Sequence, residues 1–298
     1  MRLGIDIGGT KTDAVAIDDA GSLIHRIRLA TGFGSAAVVD TAVAAVARIG
    51  ELTGLAATGF ESIGVGIPGM VDRASGHVTH AVNLGLDRLE LGCELASRLG
   101  VGVRIENDVK AAALGAYHLM GLDGTMAYLN LGTGLAAGIV VDGKLWRGAG
   151  GIAGEIGHIP VDPNGDLCAC GQRGCLETVA SGSGAARHWP TDDSLPVRAL
   201  FAAAAAGDEN ARSIKARLAA GIASAVRILV LTVDVQTVVI GGGLSHLGDR
   251  LLGEAHEVLD GWAQTSPFLA SLSLPERVRL VPEGSLAAAI GAALVGES

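Results

Sequence analysis

The chain has 298 residues, 49% of them hydrophobic and 18% charged, enough to bury a substantial core and too apolar for wholesale disorder. Its formal net charge of −9 and the lack of a basic stripe argue against a nucleic-acid partner. Glycine is unusually common, 45 residues or about 15% against an average of about 7%, and with no three-residue period it excludes collagen.

In chain order, Leu3–Ile7 reads as a buried strand, Gly8-Gly9-Thr10 as a turn, Thr12–Ile17 as a second strand and Ser22–Leu29 as a third. Val38–Ala57 has helical apolar spacing. Ser62–Ile67 is a strand ended by Pro68-Gly69. Leu89–Leu99 is helical, with Cys93 expected to be buried. Val103–Glu106 is a short strand, and Asn107 or Asp108 can cap the helix that runs through Leu119. The charge-free segment Thr125–Val141 spans 17 residues, is broken by Asn130 and glycines, and reads as two strands about a turn, not a membrane span. Met1-Arg2 leads into a short apolar run and then Asp6, which is no secretory signal, so a cytoplasmic protein with no membrane partner is expected.

The opening pattern recurs 124 residues on. Ile5-Asp6-Ile7-Gly8-Gly9-Thr10 matches Leu129-Asn130-Leu131-Gly132-Thr133-Gly134, and Val15–Asp18 matches Ile139–Asp142 at the same offset. Two glycine hairpins can look alike by chance, but an offset kept across two strands favours duplication. It predicts two related α/β domains facing each other across a cleft, residues 1–115 and 116–284, with a final helix at about 285–298 packing back on the first. Beyond the second hairpin lie a glycine loop from Gly148 to Gly157, a surface linker from Pro190 to Pro196, helices at Arg198–Ala206, Asn210–Leu231 and Leu251–Trp262, strands at Thr237–Ile240 and Val278–Val281, and a helix at Leu286–Leu294. Strand–helix alternation of this kind is an α/β pattern.

Three glycine clusters directly follow a buried strand: Gly8-Gly9, Gly132-Thr133-Gly134 and Gly241-Gly242-Gly243. Consecutive amides in such turns cradle phosphate oxygens, and each cluster alone is equally a hairpin turn. None has the spacing of the P-loop or of the dinucleotide fingerprint. Asp6, at the end of the first strand, is placed to hold Mg²⁺ or merely to cap the turn. Cys168, Cys170 and Cys175 with His158 offer three thiolates and an imidazole, a closed tetrahedral Zn²⁺ set with no position left for water; reduced core cysteines are the other reading. A structural metal there would fix Glu155 and Glu177, carboxylates suited to vicinal hydroxyls. Asp108, where a strand meets a helix, can take the proton of an attacking alcohol in phosphoryl transfer, or be a simple helix cap.

These motifs together resemble the ROK family of sugar kinases and related repressors, on the two-lobed actin-like ATPase (ribonuclease H-like) fold. The resemblance spans essentially the whole chain and rests on Asp6–Lys11, Gly66-Ile67-Pro68-Gly69, Glu106-Asn107-Asp108, Leu131–Gly134, Glu155-Ile156-Gly157-His158 and the Cys168–Glu177 run. It implies transfer of the ATP γ-phosphate to a hexose hydroxyl, usually the 6-OH, with Asp108 as general base. Gly66, Pro68, Gly69, Asn83, Asn107, Asp108, Glu155, His158 and Glu177 would surround the sugar. Asp6, Gly8, Gly9, Thr10, Lys11, Gly132, Thr133 and Gly134 would meet the phosphates and Mg²⁺, and Gly241 and Gly242 would lie near the adenosine. His158 would share itself between zinc and sugar. The family implies a homodimer. Two departures weaken an assignment to glucose: Val109-Lys110 stands where an alanine–asparagine pair is common, and Leu84-Gly85-Leu86, without tryptophan, follows Asn83. N-acetylglucosamine or glucose is favoured, with mannose, N-acetylmannosamine and fructose as alternatives. A sugar-sensing repressor needs an N-terminal helix-turn-helix for which Asp6 leaves no room; a non-catalytic sugar-binding protein would not need Asp108.

Overall fold

The computed structural model describes residues 1–193 and 195–296. β1 (Arg2–Ile7) and β2 (Lys11–Ile17) pair antiparallel through the Gly8–Thr10 turn, and β3 (Leu23–Ala30) pairs antiparallel with β2. α1 (Ser35–Thr53) follows. It stops short of the expected Ala57 because Gly54, in the left-handed region at φ 73°, closes its end by donating its N–H to the Gly50 carbonyl. β4 (Ser62–Ile67) lies parallel to β1. β5 (Met70–Asp72), β6 (His77–Ala81) and β7 (Leu86–Leu89) form a separate three-stranded antiparallel sheet that the sequence pattern does not announce. Leu89 therefore ends a strand, and α2 (Leu91–Leu99) starts after it.

Cys93 is exposed, which corrects the expectation of burial. The helix buries Leu91 and Leu95, and a residue two positions from Leu91 points to the opposite side. β8 (Arg104–Asn107) runs parallel to β4 and leads into α3 (Asp108–Leu119). β9 (Thr125–Leu131), β10 (Leu135–Val141) and β11 (Lys144–Trp146) follow, then α4 (Glu177–Ala180), α5 (Gly182–His188) and α6 (Pro196–Ala205). Of the expected linker, Pro196 opens α6 and Ser194 lies outside the described residues. α7 (Glu209–Val233), β12 (Thr237–Gly241), α8 (Asp249–Thr265), α9 (Pro267–Ala270), β13 (Val278–Leu280) and α10 (Ala287–Val295) complete the chain. Glu297 and Ser298, included in the expected final helix, also lie outside the described residues.

The first large sheet has the order β3-β2-β1-β4-β8 and the second β11-β10-β9-β12-β13. Packing divides the chain into one unit of Met1–Asp123, Val140–Gly151 and Gly284 onward, and another of Gly124–Ile139 and Ile152–Glu283. In the first, Leu3, Ile5, Ile7, Val65 and Ile67 bury against Val39, Ala42, Val46 and Ile49 of α1 and Leu91 and Leu95 of α2. In the second, α7 has the length and hydropathy of a membrane span, yet half of that apolar window is buried, and α4, α6 and α8 pack on it.

α10 belongs to the first unit and lies on α3, β1 and β4. A Cβ added at Gly4 would collide with the Ala289 carbonyl, one at Gly64 with Ala292, one at Gly115 with Ala287, and one at Gly291 with the Ala111 carbonyl of α3. Each collision is with backbone, which cannot swing aside. Gly115→Ala should therefore cost about 1–3 kcal/mol in urea denaturation, as overpacking does. Gly253→Ala, in α8 with nothing within 4 Å of the new methyl, should gain up to about 1 kcal/mol. Equal stabilities for the two variants would refute this account of the seam.

Candidate active site and metal centre

Asp6, Gly66 and Glu106 stand side by side on β1, β4 and β8: Asp6 pairs with Gly66, and Gly66 with Glu106. Gly66 is buried, and a Cβ there would lie 3.6 Å from the Asp108 Cα and 3.3 Å from the Ala111 Cβ. Its missing side chain leaves the space in which Asp6 and Asp108 approach. Burial, then Asp108, then Asp13 raise the Asp6 pKa to about 8, while Lys11 acts in the opposite sense. Asp6 keeps some solvent contact as a residue, but its carboxyl is crowded by protein and by two other acids. A carboxyl so reluctant to ionise marks negative charge without enough compensation, and the oxygen donors fit a hard divalent cation.

Asn107, not Asp108, caps α3. Its Oδ1 accepts from the Val109 and Lys110 amides at 3.1 Å each, and its Nδ2 donates to the Gly69 carbonyl at 3.1 Å and to Asp108 Oδ1 at 3.2 Å. Asp108 sits in the first turn, where the helix dipole favours an anion, and its Oδ1 also accepts the Val109 N–H at 2.9 Å. Gly69 has φ 101° and turns the chain after Pro68 into β5. The Gly8 N–H closes the first turn on the Lys11 carbonyl at 2.9 Å, leaving Gly9, Thr10 and Lys11 exposed. A Cβ on Gly9 would come within 3.3 Å of the Asn83 Cβ, so this turn lies against the short 3₁₀ turn Val82–Leu84 that carries exposed Asn83.

In the second unit, Gly132 N donates to the Gly134 carbonyl at 3.0 Å, and exposed Thr133 tops the turn. Gly241 pairs with Asn130 across β12 and β9. Gly242, at φ 81°, lies where a Cβ would meet Asn130 Oδ1 and Leu131 backbone at 2.7 Å. The two glycine turns thus adjoin at the ends of parallel strands, where α/β sheets bind nucleotides. Sequence reasoning missed the start of α5. Gly182 N donates to the Gly132 carbonyl at 2.8 Å, and Ser183 Oγ to the Thr133 carbonyl at 2.7 Å. The available signal was Ser181, whose Oγ accepts from the Gly184 N–H as a helix cap.

Glu177 opens α4, and its Oε2 accepts from the Leu135 N–H at 3.0 Å. Exposed Glu155 leads into a 3₁₀ turn, Ile156–His158, which brings His158 to the cysteines. The donor atoms of His158, Cys168, Cys170 and Cys175 all lie within 4.8 Å of one another. Cys170 Sγ is 3.6 Å from Cys175 Sγ, and Cys168 Sγ is 3.8 Å from His158 Nδ1. Sulfurs about 2.3 Å from a tetrahedral Zn²⁺ stand about 3.8 Å apart, so the four donors fit that ion and leave no open position. Gln172, donating from its side chain to Cys170 at 3.4 Å and then from its backbone, lowers that thiol to about 6, towards the thiolate a metal needs. Asp6, Asn83, Asn107, Asp108, Gly66, Pro68, Gly69 and Gly8–Lys11 therefore gather in the first unit. Gly132–Gly134, Gly241, Gly242, Glu155, His158, Glu177 and the three cysteines belong to the second.

The raised Asp6 pKa has a stability consequence. Without a cation, folded Asp6 holds its proton to about pH 8, while the unfolded chain loses it near 3.8; between these the folded state binds more protons, so stability falls as pH rises. Asp6→Asn should flatten the urea midpoint over that window and exceed the unmodified chain at its upper end. Parallel curves would contradict it.

The sequence model of the ROK family matches residues 2–296. Among curated proteins, a glucokinase of Halalkalibacterium halodurans is 33% identical over 282 residues, covering 88% of this chain and 86% of its own. An N-acetylmannosamine kinase of Salmonella arizonae is 36% identical over 274 residues, covering 91% of each. Among solved structures, a ROK family glucokinase from Streptomyces griseus in complex with glucose and AMPPNP superposes with a TM-score of 0.80 at 30% identity, covering 99% of both chains. With its motifs, its paired sheets and these relatives in agreement, the chain belongs to the ROK family, on the actin-like ATPase fold.

Proposed function

We propose that this ROK sugar kinase moves the γ-phosphoryl group of ATP to the 6-hydroxyl of a hexose, glucose or N-acetylglucosamine first, with Asp108 as general base. The observation that carries the reading is Asp108 itself: a carboxylate in the first turn of α3, beside the Asn107 cap, in the space that Gly66 leaves open. The names of the relatives support the substrate class, glucose on one side and an N-acetylated hexosamine on the other.

In this reading Asp108 takes the proton of the sugar hydroxyl as that oxygen forms its bond to the γ-phosphorus. The bond from the γ-phosphorus to the bridging oxygen breaks, and ADP leaves with that electron pair. The amides of Gly8–Thr10, the Lys11 ammonium and the Thr133 turn receive phosphate oxygens, and Gly241 and Gly242 let the nucleotide approach the backbone. Mg²⁺, held through Asp6, neutralises phosphate charge when bound. Asn83, Asn107, Glu155, His158 and Glu177 serve as sugar ligands, hydrogen-bonding the ring hydroxyls. Zn²⁺ on His158, Cys168, Cys170 and Cys175 fastens the loop that carries Glu155 and Glu177. His158 Nδ1 faces Cys168, leaving the other ring nitrogen for a second partner.

ADP release across a panel of glucose, N-acetylglucosamine, N-acetylmannosamine, mannose and fructose tests the reading. Release with at least one of these should fall by about 10²–10⁴-fold in Asp108→Asn, with sugar affinity kept within a few fold. A flat panel, or near-normal turnover in the variant, overturns it. Metal analysis should find one zinc per chain, lost in Cys170→Ser together with most of the activity; full zinc and full activity in that variant would remove the metal from the scheme.

A further inference from the structure

Lys110 departs from the family's usual pair, and the chemistry above does not use it. It is 6% exposed, and its Nζ donates to the Gly151 carbonyl at 2.6 Å. A second charged tie lies at the other end of the same two segments. Arg147 Nε donates to Glu106 Oε2 at 2.7 Å, and Glu106 is 3% exposed. The ties run in opposite senses. Glu106–Lys110 accepts at its first residue and donates from its last; Arg147–Gly151 donates from its first and accepts at its last. Asn107 and Asp108 lie between the ties on one segment, Gly148-Ala149-Gly150 on the other, and all of these residues belong to the first unit.

We infer that Lys110 and Arg147 are positioning residues, a two-point clamp that uses the glycine segment 147–151 as a brace to hold the Asn107–Asp108 turn in its orientation. The inference rests on the proposed role of Asp108. Gly148 and Gly151 take φ 71° and 77°, and no atom lies within 4 Å of a Cβ built at Gly150 or Gly151. Such a segment gains little from packing and loses much backbone freedom when ordered. Two part-buried, charge-assisted hydrogen bonds tie it to the Glu106–Lys110 segment. From Glu106 the path to Asp108 is short. Glu106 Oε1 accepts the Asn107 N–H at 3.1 Å, and Asn107 Nδ2 donates to Asp108 Oδ1. Arg73 is lowered by burial and by Arg147 and feels the opposing charge of Glu106, so a second cation stays near Glu106 when Arg147 is replaced.

Hydrogen exchange of the full chain, measured on peptides covering 105–112 and 146–153, with kcat and sugar KM, tests the clamp in Lys110→Met, Arg147→Met and Arg147→Lys. Both Met variants should exchange these peptides at least about tenfold faster and lose about tenfold or more in kcat, with sugar KM within about threefold, the scale of one charged hydrogen bond. Arg147→Lys should recover most of the lost kcat. Unchanged exchange, unchanged kcat, or a loss carried wholly by KM would overturn the inference. If a Met variant fails to fold, Glu106→Gln, which keeps an acceptor for Arg147 but drops the charge, carries the same comparison with a smaller effect of the same sign. Absence of sugar-dependent ADP release from the unmodified chain would sink the kinase reading instead, and the exchange rates would still decide the clamp.

Discussion

Where α10 crosses Gly4, Gly64 and Gly115, backbone meets backbone with no room for a methyl group, and Gly291 repeats the condition from the helix side. Approach this close locks α3 in one register against β1 and β4, because any slide would drive an alanine of α10 into a carbonyl. The consequence lies at the other end of the same elements. β1 ends at Asp6 and its glycine turn, α3 begins at Asp108, and Gly66 of β4 lies between them. Two carboxyls that repel are brought to one place by packing that neither makes. Burial first, and then Asp108, push the Asp6 pKa up. The last helix in sequence thus does the positioning for the first strand.

The second large sheet repeats the plan of the first. Adding 124 to the bounds of β2, 11 and 17, gives 135 and 141, those of β10. The two sheets match strand for strand, β3-β2-β1-β4-β8 against β11-β10-β9-β12-β13. Asp6 corresponds to Asn130, and the residue paired with each across the neighbouring parallel strand is a glycine, Gly66 or Gly241. The same turn thus occurs twice, with an acid in one copy where the other has a neutral amide.

The hairpins, the capped helix and the thiolate cluster are legible in the sequence because their partners lie within a few residues, where spacing is geometry. Asp108 is legible for the same reason: a short strand running into an Asn-Asp pair can only be a helix start. The β5–β7 sheet was not, since its three- to five-residue strands are too short for a period and carry polar residues such as Asp72, His77 and Asp87. Cys93 misled because an apolar residue among leucines reads as core until the helix phase is fixed. In the sequence Lys110 is only a departure from the family's usual pair, as Gly151 lies 41 residues away and offers only a carbonyl, which no sequence pattern marks.

The loop that carries His158 and the three cysteines is fastened unevenly to β10. Cys175 and Glu177 are two residues apart, but Glu177 has its own anchor, the Leu135 N–H at the start of β10, and the 3₁₀ turn Ile156–His158 lies against the same residue, where Gly157 meets the Leu135 carbonyl. Glu155 is exposed, and its carboxylate makes no hydrogen bond among the described residues, but Gly154 beside it accepts the Ala137 N–H of β10 at 2.8 Å. The two carboxylates, alike in the sequence as neighbours of the His158–cysteine cluster, are therefore unequal in the fold: β10 holds the Glu177 carboxylate itself, but only the backbone beside Glu155.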